Sequence, residues 1–295
     1  MTYIVTPIAI SISPPVLIGI SIGLISSNAA DNSDFVSAWI ENGLGTVEDD
    51  GTFVFRALLP PYYSVENSTV LGLVDGVAIG VEDCELCENV SSYLSFFELN
   101  MGIIFREKKI LDPAEEGAVA LMEKYNITKL PTFFLNSEIE HYGIGEQLLT
   151  FMTKEDDGWY AYRQPYPPYI DLEDNGTLRG NVTFIELTDS TCEDCFNTTD
   201  ILSVVADSYG MYVSGGVGYD VNTAEGMGIV EKYNITIVPT FLLSEEAGYY
   251  GNFREVWEFN GNTVEEDGWF VFRNSDQLQG LVYRDLSNES NESAG

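Results

Sequence analysis

The chain has 295 residues, of which 45% are hydrophobic, so it holds enough apolar material for about two globular domains. It carries 13 basic and 47 acidic residues, which leaves a formal net charge of −34 at pH 7. This balance excludes nucleic acid as a partner, because binding it requires a basic surface that displaces counterions. The 4 cysteines are too few for a small protein held together by a disulfide scaffold.

The N-terminal segment has no charged side chain over residues 2–30, and its stretch 16–25 is apolar enough for a signal peptide or a membrane anchor. Three prolines in the segment fit poorly into a spanning helix: Pro7, Pro14 and Pro15. A second interpretation is a truncated repeat, because residues 10–18 resemble residues 235–243 near the other end of the chain. Residues 1–33 are therefore either a signal or anchor segment or part of that repeat.

A turn-and-strand element occurs three times, at residues 45–56, 152–163 and 262–273. Its Asp-Gly pair predicts a turn, and the alternating aromatic residues that follow predict a strand with one buried face. The acidic residues invite a calcium interpretation, but the ligand spacing of an EF-hand is missing, which favours a solvated hairpin tip. The first copy belongs to an orphan module at 34–63, and Pro-Pro-Tyr runs at 60–62 and 167–169 are interpreted as stiff linkers.

Two Cys-x-x-Cys motifs dominate the rest of the chain, at residues 84–87 and 192–195, with an offset of 108 (192 − 84). Each is followed by a Pro-Thr at the same distance, because 131 − 84 and 239 − 192 both equal 47. The text before each proline is also nearly the same, at residues 123–135 and 231–243. Such repetition predicts two similar domains, assigned to 64–168 and 169–280, followed by a polar acidic tail at 281–295.

The text around the motifs predicts strands and helices in alternation. A β-rich run at 182–188 precedes the second motif, a helical apolar stripe follows at 198–209, and a strand resumes at 211–213. The first copy shows the same plan, with a strand at 76–81 and a helix at 93–99. This βαβ-containing context favours a redox use of the Cys-x-x-Cys motifs.

These residues resemble the thioredoxin-like family, including its disulfide-isomerase-like and archaeal-type extracytoplasmic members. The resemblance implies an α/β fold with two tandem domains, each a central mixed sheet flanked by helices. It implies that the first cysteine of each pair opens a helix and that a cis-proline loop lies against the pair. The implied redox residues form two disulfides, Cys84–Cys87 and Cys192–Cys195, and the implied substrate-binding residues are Leu130, Pro131, Val238 and Pro239.

Acidic residues surround both cysteine pairs. A thiol at a helix N-terminus is activated by the helix dipole, whereas nearby negative charge raises the pKa of a thiol. We therefore expect both disulfides to be more stable than those of the strongly oxidising family members. The acidic neighbours are Glu82, Asp83 and Glu85 in the first motif, and Asp189, Glu193 and Asp194 in the second.

The two sites depart from the family pattern to different degrees. Neither motif is preceded by Trp, since Asp83 and Thr191 occupy those places. The resemblance implies a buried acid six residues before the first cysteine, as a proton acceptor for the second. That position is Glu186 in the second repeat and Ala78 in the first. We therefore expect Glu186 to lie buried beneath Cys195 and rank the second site as the likelier catalyst.

The preferred function at this point is a thiol–disulfide oxidoreductase that acts on protein thiols or disulfides outside the cytoplasm, with no cofactor and no metal. Alternatives are a four-cysteine zinc site and a surface or filament-like assembly protein in which the disulfides are structural. A membrane tether and homo-oligomeric assembly stay open. The density of Asn-x-Ser/Thr sequons favours an exported chain. The candidate glycosylation sites are Asn67, Asn89, Asn175, Asn181 and Asn197.

Overall fold

The computed structural model describes residues 37–38, 40–41, 44–51, 53–55, 59–274, 278 and 280–287. The interpretations of segment 1–33 and of the last eight residues of the tail, 288–295, lie outside these residues. Within them, no helix is both long and apolar enough to cross a membrane.

Apart from helical residues at 37–38 and 40–41 and short 3-10 turns near the end, the elements of the described part of the chain are nineteen strands, six α-helices and two 3-10 helices. The helices are α1 (Val90–Asn100), α2 (Glu116–Lys124), η1 (Ser137–Tyr142), α3 (Gly145–Leu148), α4 (Thr198–Ser208), α5 (Ala224–Tyr233), η2 (Glu245–Tyr249) and α6 (Phe253–Phe259). The first strands are β1 (Gly45–Val47), β2 (Phe53–Phe55), β3 (Tyr62–Ser64), β4 (Thr69–Leu71), β5 (Val74–Ile79), β6 (Phe105–Leu111), β7 (Lys129–Leu130), β8 (Thr132–Leu135), β9 (Met152–Lys154) and β10 (Tyr160–Tyr162). The later strands are β11 (Tyr169–Asp171), β12 (Thr177–Arg179), β13 (Asn181–Thr188), β14 (Tyr212–Asp220), β15 (Ile237–Val238), β16 (Thr240–Leu243), β17 (Thr263–Val264), β18 (Phe270–Val271) and β19 (Arg284–Asp285).

The chain divides into two compact units. The first unit comprises the described residues up to Ile79, together with Val90–Leu111 and Phe133–Arg163. The second comprises Gly80–Asn89, Asp112–Thr132 and the described residues from Gln164 onward.

The first unit is built on a five-stranded mixed sheet with the order β6-β5-β8-β10-β9. β5 and β6 run parallel, because α1 makes the crossover between them, and β10 runs antiparallel to both β8 and β9. Val74 and Ala78 lie on the same face of β5 and share a core with Leu94 and Phe97 of α1. Gly76, between them, lets α1 pack close to β5, since a Cβ there would lie 3.0 Å from the Leu94 side chain.

The second unit repeats this plan with the sheet order β14-β13-β16-β18-β17. β13 is parallel to β14 and antiparallel to β16, and β18 continues the antiparallel part. All four residues of β16 are buried, because the sheet is covered on both faces. Phe241 packs in a core with Trp257 of α6, whereas the next residue, Leu242, belongs to a second core with Val230 of α5.

The two sheets therefore have the same strand order and the same parallel–antiparallel change, at equivalent places in the repeated sequence. This architecture is a thioredoxin-like α/β fold with two tandem domains, as predicted. The Asn that occurs in the repeated text before each cis-proline is explained by its backbone conformation. Asn126 and Asn234 follow α2 and α5 with φ of 49° and 48°, a left-handed conformation that Asn adopts more readily than most residues.

The three copies of the turn-and-strand element are hairpins, β1–β2, β9–β10 and β17–β18. In the later two copies the first acid of the turn pairs with the arginine that ends the element. Arg163 lies 2.6 Å from Glu155, and Arg273 lies 2.8 Å from Glu265. These pairs support the hairpin interpretation, because the acid that the calcium interpretation needs is engaged by an arginine.

The interpretation of the Pro-Pro-Tyr runs as linkers is wrong. Pro61 and Pro168 are buried, and each follows a proline with a cis peptide bond. The runs lead directly into two equivalent hairpins, β3–β4 and β11–β12. They are packed parts of the repeats.

Candidate functional site

The second cysteine pair lies in a turn between β13 and α4. Cys192 and Cys195 form a disulfide with a Cα–Cα distance of 5.4 Å, as predicted. The turn is held by a hydrogen bond of 3.1 Å from the Cys192 N–H to the Asp189 carbonyl oxygen. Both cysteines are half-buried.

The first pair has the same local structure. Cys84 and Cys87 form a disulfide with a Cα–Cα distance of 5.3 Å. The Cys84 N–H donates to the Val81 carbonyl oxygen at 3.1 Å, which matches the bond in the second turn. The two internal disulfides exclude a shared four-cysteine zinc site in this state, because zinc binds thiolates.

The prediction that each first cysteine opens a helix is wrong. Helix α4 begins at Thr198, and its N-cap is Asn197, whose side chain accepts a hydrogen bond from the Thr199 N–H. Helix α1 likewise begins at Val90, three residues after Cys87. Because the dipole effect falls off within the first turn of a helix, these turns receive less activation than a cysteine at the N-terminus would.

Both predicted cis-prolines are confirmed. The Leu130–Pro131 and Val238–Pro239 peptide bonds are cis. The residues before these prolines form two short strands, β7 and β15, on whose backbone the predicted substrate contact depends. Pro131 and Pro239 are buried in both repeats.

The backbone edge expected to receive substrate is occupied in both repeats. β11 pairs with β7, with Ile170 opposite Leu130. β19 pairs with β15, with Arg284 opposite Val238. Substrate binding by Leu130, Pro131, Val238 and Pro239 stays a prediction, and a substrate strand has to replace a resident one.

Glu186 lies on β13 and differs in part from the expectation. It is half-buried, whereas the expectation was full burial beneath Cys195. Its carboxylate accepts a hydrogen bond from the Thr198 hydroxyl, at the first residue of α4. Ala78, at the equivalent place in the first repeat, is fully buried and offers no proton acceptor. The proposed role of Glu186 in proton transfer stays a prediction.

Asp189 organises the second turn, a role that the sequence analysis missed. Its carboxylate accepts hydrogen bonds from Thr191 at 2.6 Å and from Asn222 at 2.8 Å, and Arg284 lies 2.8 Å away. Burial by itself raises the pKa of Asp189, but the hydrogen bonds from Thr191 and Arg284 outweigh it and hold the pKa well below its ordinary value. The equivalent position in the first repeat is Val81 (189 − 108), and this difference was the readable signal.

This network changes the expectation that Asp189 raises the pKa of the Cys192 thiol. The Asp189 side chain has no exposed area, and its charge is compensated by Arg284. Glu193 and Asp194 are exposed and remain the acidic neighbours of the second pair.

Comparison with known proteins gives only distant structural matches. No known protein family and no curated protein matches the sequence. Among solved structures, a thioredoxin from Thermus thermophilus matches with 16% identity and a TM-score of 0.19, over 38% of this chain and 71% of that protein. Full-length ERdj5 matches with 9% identity and a TM-score of 0.18, over 75% of this chain. The chain spans only 29% of the length of ERdj5.

Human ERp44 matches with 13% identity and a TM-score of 0.16, over 58% of this chain and 44% of that protein. Scores of this size carry no argument. The thioredoxin-like assignment therefore rests on the sheet order, the placement of the cysteine pairs and the cis-prolines.

The network predicts a pH-dependent effect of Asp189→Asn. Because the pKa of Asp189 is lowered on folding, its contribution to stability is present above the ordinary value of 3.8 and is lost as the pH falls toward the folded pKa. At pH 7 the variant should lose about 1–3 kcal/mol of unfolding free energy, the range for a hydrogen-bonded buried charge. The loss should shrink near pH 3, as measured by urea denaturation at both pH values.

Asp194→Asn is the matched control, because Asp194 is an exposed acid in the same turn. It should change the unfolding free energy by no more than about 0.5 kcal/mol at either pH. An equal loss for Asp189→Asn at pH 7 and pH 3 would contradict the account.

Proposed function

We propose that the chain is a thiol–disulfide oxidoreductase that exchanges disulfides with protein thiols outside the cytoplasm. Its principal redox pair is Cys192–Cys195. One observation carries the proposal: each bonded cysteine pair follows a central strand of a thioredoxin-like domain, in a repeat that also holds a cis-proline strand. A second observation is Glu186, an acid six residues before Cys192 whose carboxylate accepts a hydrogen bond from Thr198, and it favours the second site.

The reaction needs only the two cysteines and the substrate. In the oxidised form, a substrate thiolate attacks one sulfur of the Cys192–Cys195 bond and forms a mixed disulfide, which releases one cysteine as a thiolate. A second substrate thiolate then attacks the mixed disulfide. The substrate gains a disulfide, and two electrons reduce the pair to two thiols. The reverse sequence reduces a substrate disulfide, and Glu186 takes or gives the proton of Cys195.

An oxidising compartment is supported by two features. Disulfides persist outside the cytoplasm and are rare inside it. The candidate glycosylation sites Asn67, Asn89 and Asn175 are exposed. Asn181 and Asn197 are weaker candidates, because the Asn181 Oδ1 atom is buried and the Asn197 side chain caps α4. Glycosylation and export remain proposals.

An assembly protein with structural disulfides is the second candidate. It is favoured by the occupied edges of β7 and β15, since each is already paired with a strand that follows it in the chain. The placement of both cysteine pairs before the helices favours it as well. In this case the disulfides hold the turns and exchange with nothing.

The two candidates differ in a turnover experiment. The whole chain, supplied with a small dithiol as reductant, should accelerate the reduction of insulin. Cys192→Ser should remove most of this rate, because the second site has the acid, whereas Cys84→Ser should keep most of it. The whole chain is required, since residues 281–287 belong to the second unit.

The outcome that contradicts the proposal is a rate no higher than that of the dithiol alone. This result would favour the assembly protein. Equal losses from the two serine variants would show that the sites do not differ in the way Glu186 implies.

Glu186→Gln should slow exchange at the second site on the order of a hundredfold, the scale of a lost general acid or base. Gln keeps an oxygen that accepts the hydrogen bond of Thr198, so the fold should be retained. The measurement is the rate of reduction of Cys192–Cys195 across pH 6–9 by alkylation and mass spectrometry.

Thr198→Val is the control, because it removes the hydrogen bond and keeps the carboxylate. If it slows exchange as much as Glu186→Gln does, Glu186 is a structural residue of β13 and not a proton acceptor.

A further inference from the structure

Residues 282–286, which we call the covering segment, run along the second site, with Arg284 and Asp285 in β19 and Leu286 in a 3-10 turn. The Phe196 N–H, directly after Cys195, donates to the Val282 carbonyl oxygen at 3.0 Å. Arg284 pairs with Val238, next to the cis-proline. The Leu286 N–H donates to the Thr236 carbonyl oxygen at 2.8 Å. One short stretch of backbone thus reaches from the cysteine turn to the strand before Pro239.

Arg284 adds an ion pair between the covering segment and the cysteine turn. Its guanidinium lies 2.8 Å from the Asp189 carboxylate, whose side chain has no exposed area. A buried carboxylate without a cation is unfavourable, so a replacing strand that supplies a positive charge at this place is favoured over one that does not.

The first repeat shows the same arrangement without charge. The residue opposite Leu130 is Ile170, and the residue at the place of Asp189 is Val81. The acid and the base therefore occur together in the second repeat and are both replaced by apolar residues in the first. This correlation ties the basic residue on the strand to the acid in the turn.

Part of the covering segment is more exposed than its counterpart in the first repeat. In the first repeat, β11 lies between β12 and β7 in a three-stranded sheet, and Tyr169 is only 4% exposed. β19 pairs with β15, and Tyr283, the equivalent of Tyr169, is 39% exposed. At this position a competing strand would displace less buried side-chain surface at the second edge than at the first.

A groove of about 510 Å³ continues from the covering segment. It is lined by Arg284 and Leu286 of the segment and by Asn222, Met227 and Val230. Its floor is partly apolar, and Leu286, two residues after Arg284, lines it. A replacing strand with an apolar residue at that position would fill the same place.

We propose that the second site takes extended polypeptide segments with a basic residue opposite Val238 and an apolar residue two positions later. The covering segment is a built-in occupant that such a substrate displaces. As a statement about which substrates are selected, this inference rests on the proposed function. The binding preference for a basic residue can be measured without any turnover.

The test uses the whole chain and a synthetic peptide with the sequence of residues 281–287, Leu-Val-Tyr-Arg-Asp-Leu-Ser. Arg284→Gln should loosen the covering segment, so that iodoacetamide alkylates Cys192 in the reduced protein roughly tenfold faster. Cys84 is the internal control and should react at an unchanged rate. Arg284→Lys keeps the charge and should leave the rate of Cys192 near that of the parent chain.

The peptide tests the preference directly. Added to the Arg284→Gln protein, it should bind with a change in fluorescence anisotropy and slow the alkylation of Cys192 again. The same peptide with Glu in place of Arg should bind at least tenfold more weakly. Adding Asp189→Asn to Arg284→Gln should abolish this difference between the two peptides.

Equal binding of the two peptides, or no change in Cys192 alkylation in Arg284→Gln, overturns the inference. An altered rate at Cys84 would show a general loss of structure, and the two peptides added in excess to the parent chain then decide: the Arg peptide should compete with the covering segment and bind more tightly than the Glu peptide. Insulin reduction is a separate readout: if it fails while the Arg peptide is preferred, the proposed function is wrong and the binding preference stands.

Discussion

Backbone pairing along the strand before each cis-proline is the constraint on which both candidate sites depend. The Leu172 N–H donates to the Thr128 carbonyl oxygen, and the Leu286 N–H donates to the Thr236 carbonyl oxygen, both at 2.8 Å. A strand edge with free N–H and C=O groups invites pairing with another chain, and this protein fills the edge with its own residues. Under the proposed function an extended substrate pairs with this same edge, which would link protection of the fold to access to the cysteines.

The two repeats use one architecture for sites of different chemistry. Asp189, whose carbonyl oxygen accepts a hydrogen bond from the Cys192 N–H, has its charge compensated by Arg284, and Glu186 accepts a hydrogen bond from Thr198 at the start of α4. The equivalents of the two acids and Arg284 in the first repeat are apolar, as shown by Ala78, which is fully buried. An apolar covering strand inside a three-stranded sheet suits a structural disulfide, whereas a more exposed strand with an ion pair to the cysteine turn suits exchange. The excess of acid over the whole chain, −34, makes a basic strand the favourable ligand for such a site.

Much of the fold could be predicted from the sequence, because it depends on local and repeated features. The 47-residue spacing from each motif to its Pro-Thr supported the resemblance to the thioredoxin-like family, and that resemblance implied both disulfides and both cis-prolines, which the structure contains. The apolar stripe predicted the helix after the second motif at 198–209, close to the observed Thr198–Ser208, whereas the family resemblance implied a start at Cys192, which is wrong. The N-cap signal of Asn197 agrees with the start that the stripe predicts.

The occupied edges could not be predicted, and the reason is physical. β15 and β19 have two residues each, which is too short for an alternating pattern, and their pairing joins distant parts of the chain. The ion pair of Asp189 and Arg284 spans 95 positions. Neither residue has a local pattern that indicates the other. Only the comparison of the two repeats, position by position, reveals that acid and base change together.

The most direct test of the central claim is the reduction potential of each disulfide in the whole chain. Equilibration with dithiol buffers, followed by alkylation and mass spectrometry, reports Cys84–Cys87 and Cys192–Cys195 separately. The account predicts a potential above about −300 mV for Cys192–Cys195, in the range of exchanging disulfides, and a lower potential for Cys84–Cys87. Values below about −300 mV for both pairs would contradict it and would identify both disulfides as structural.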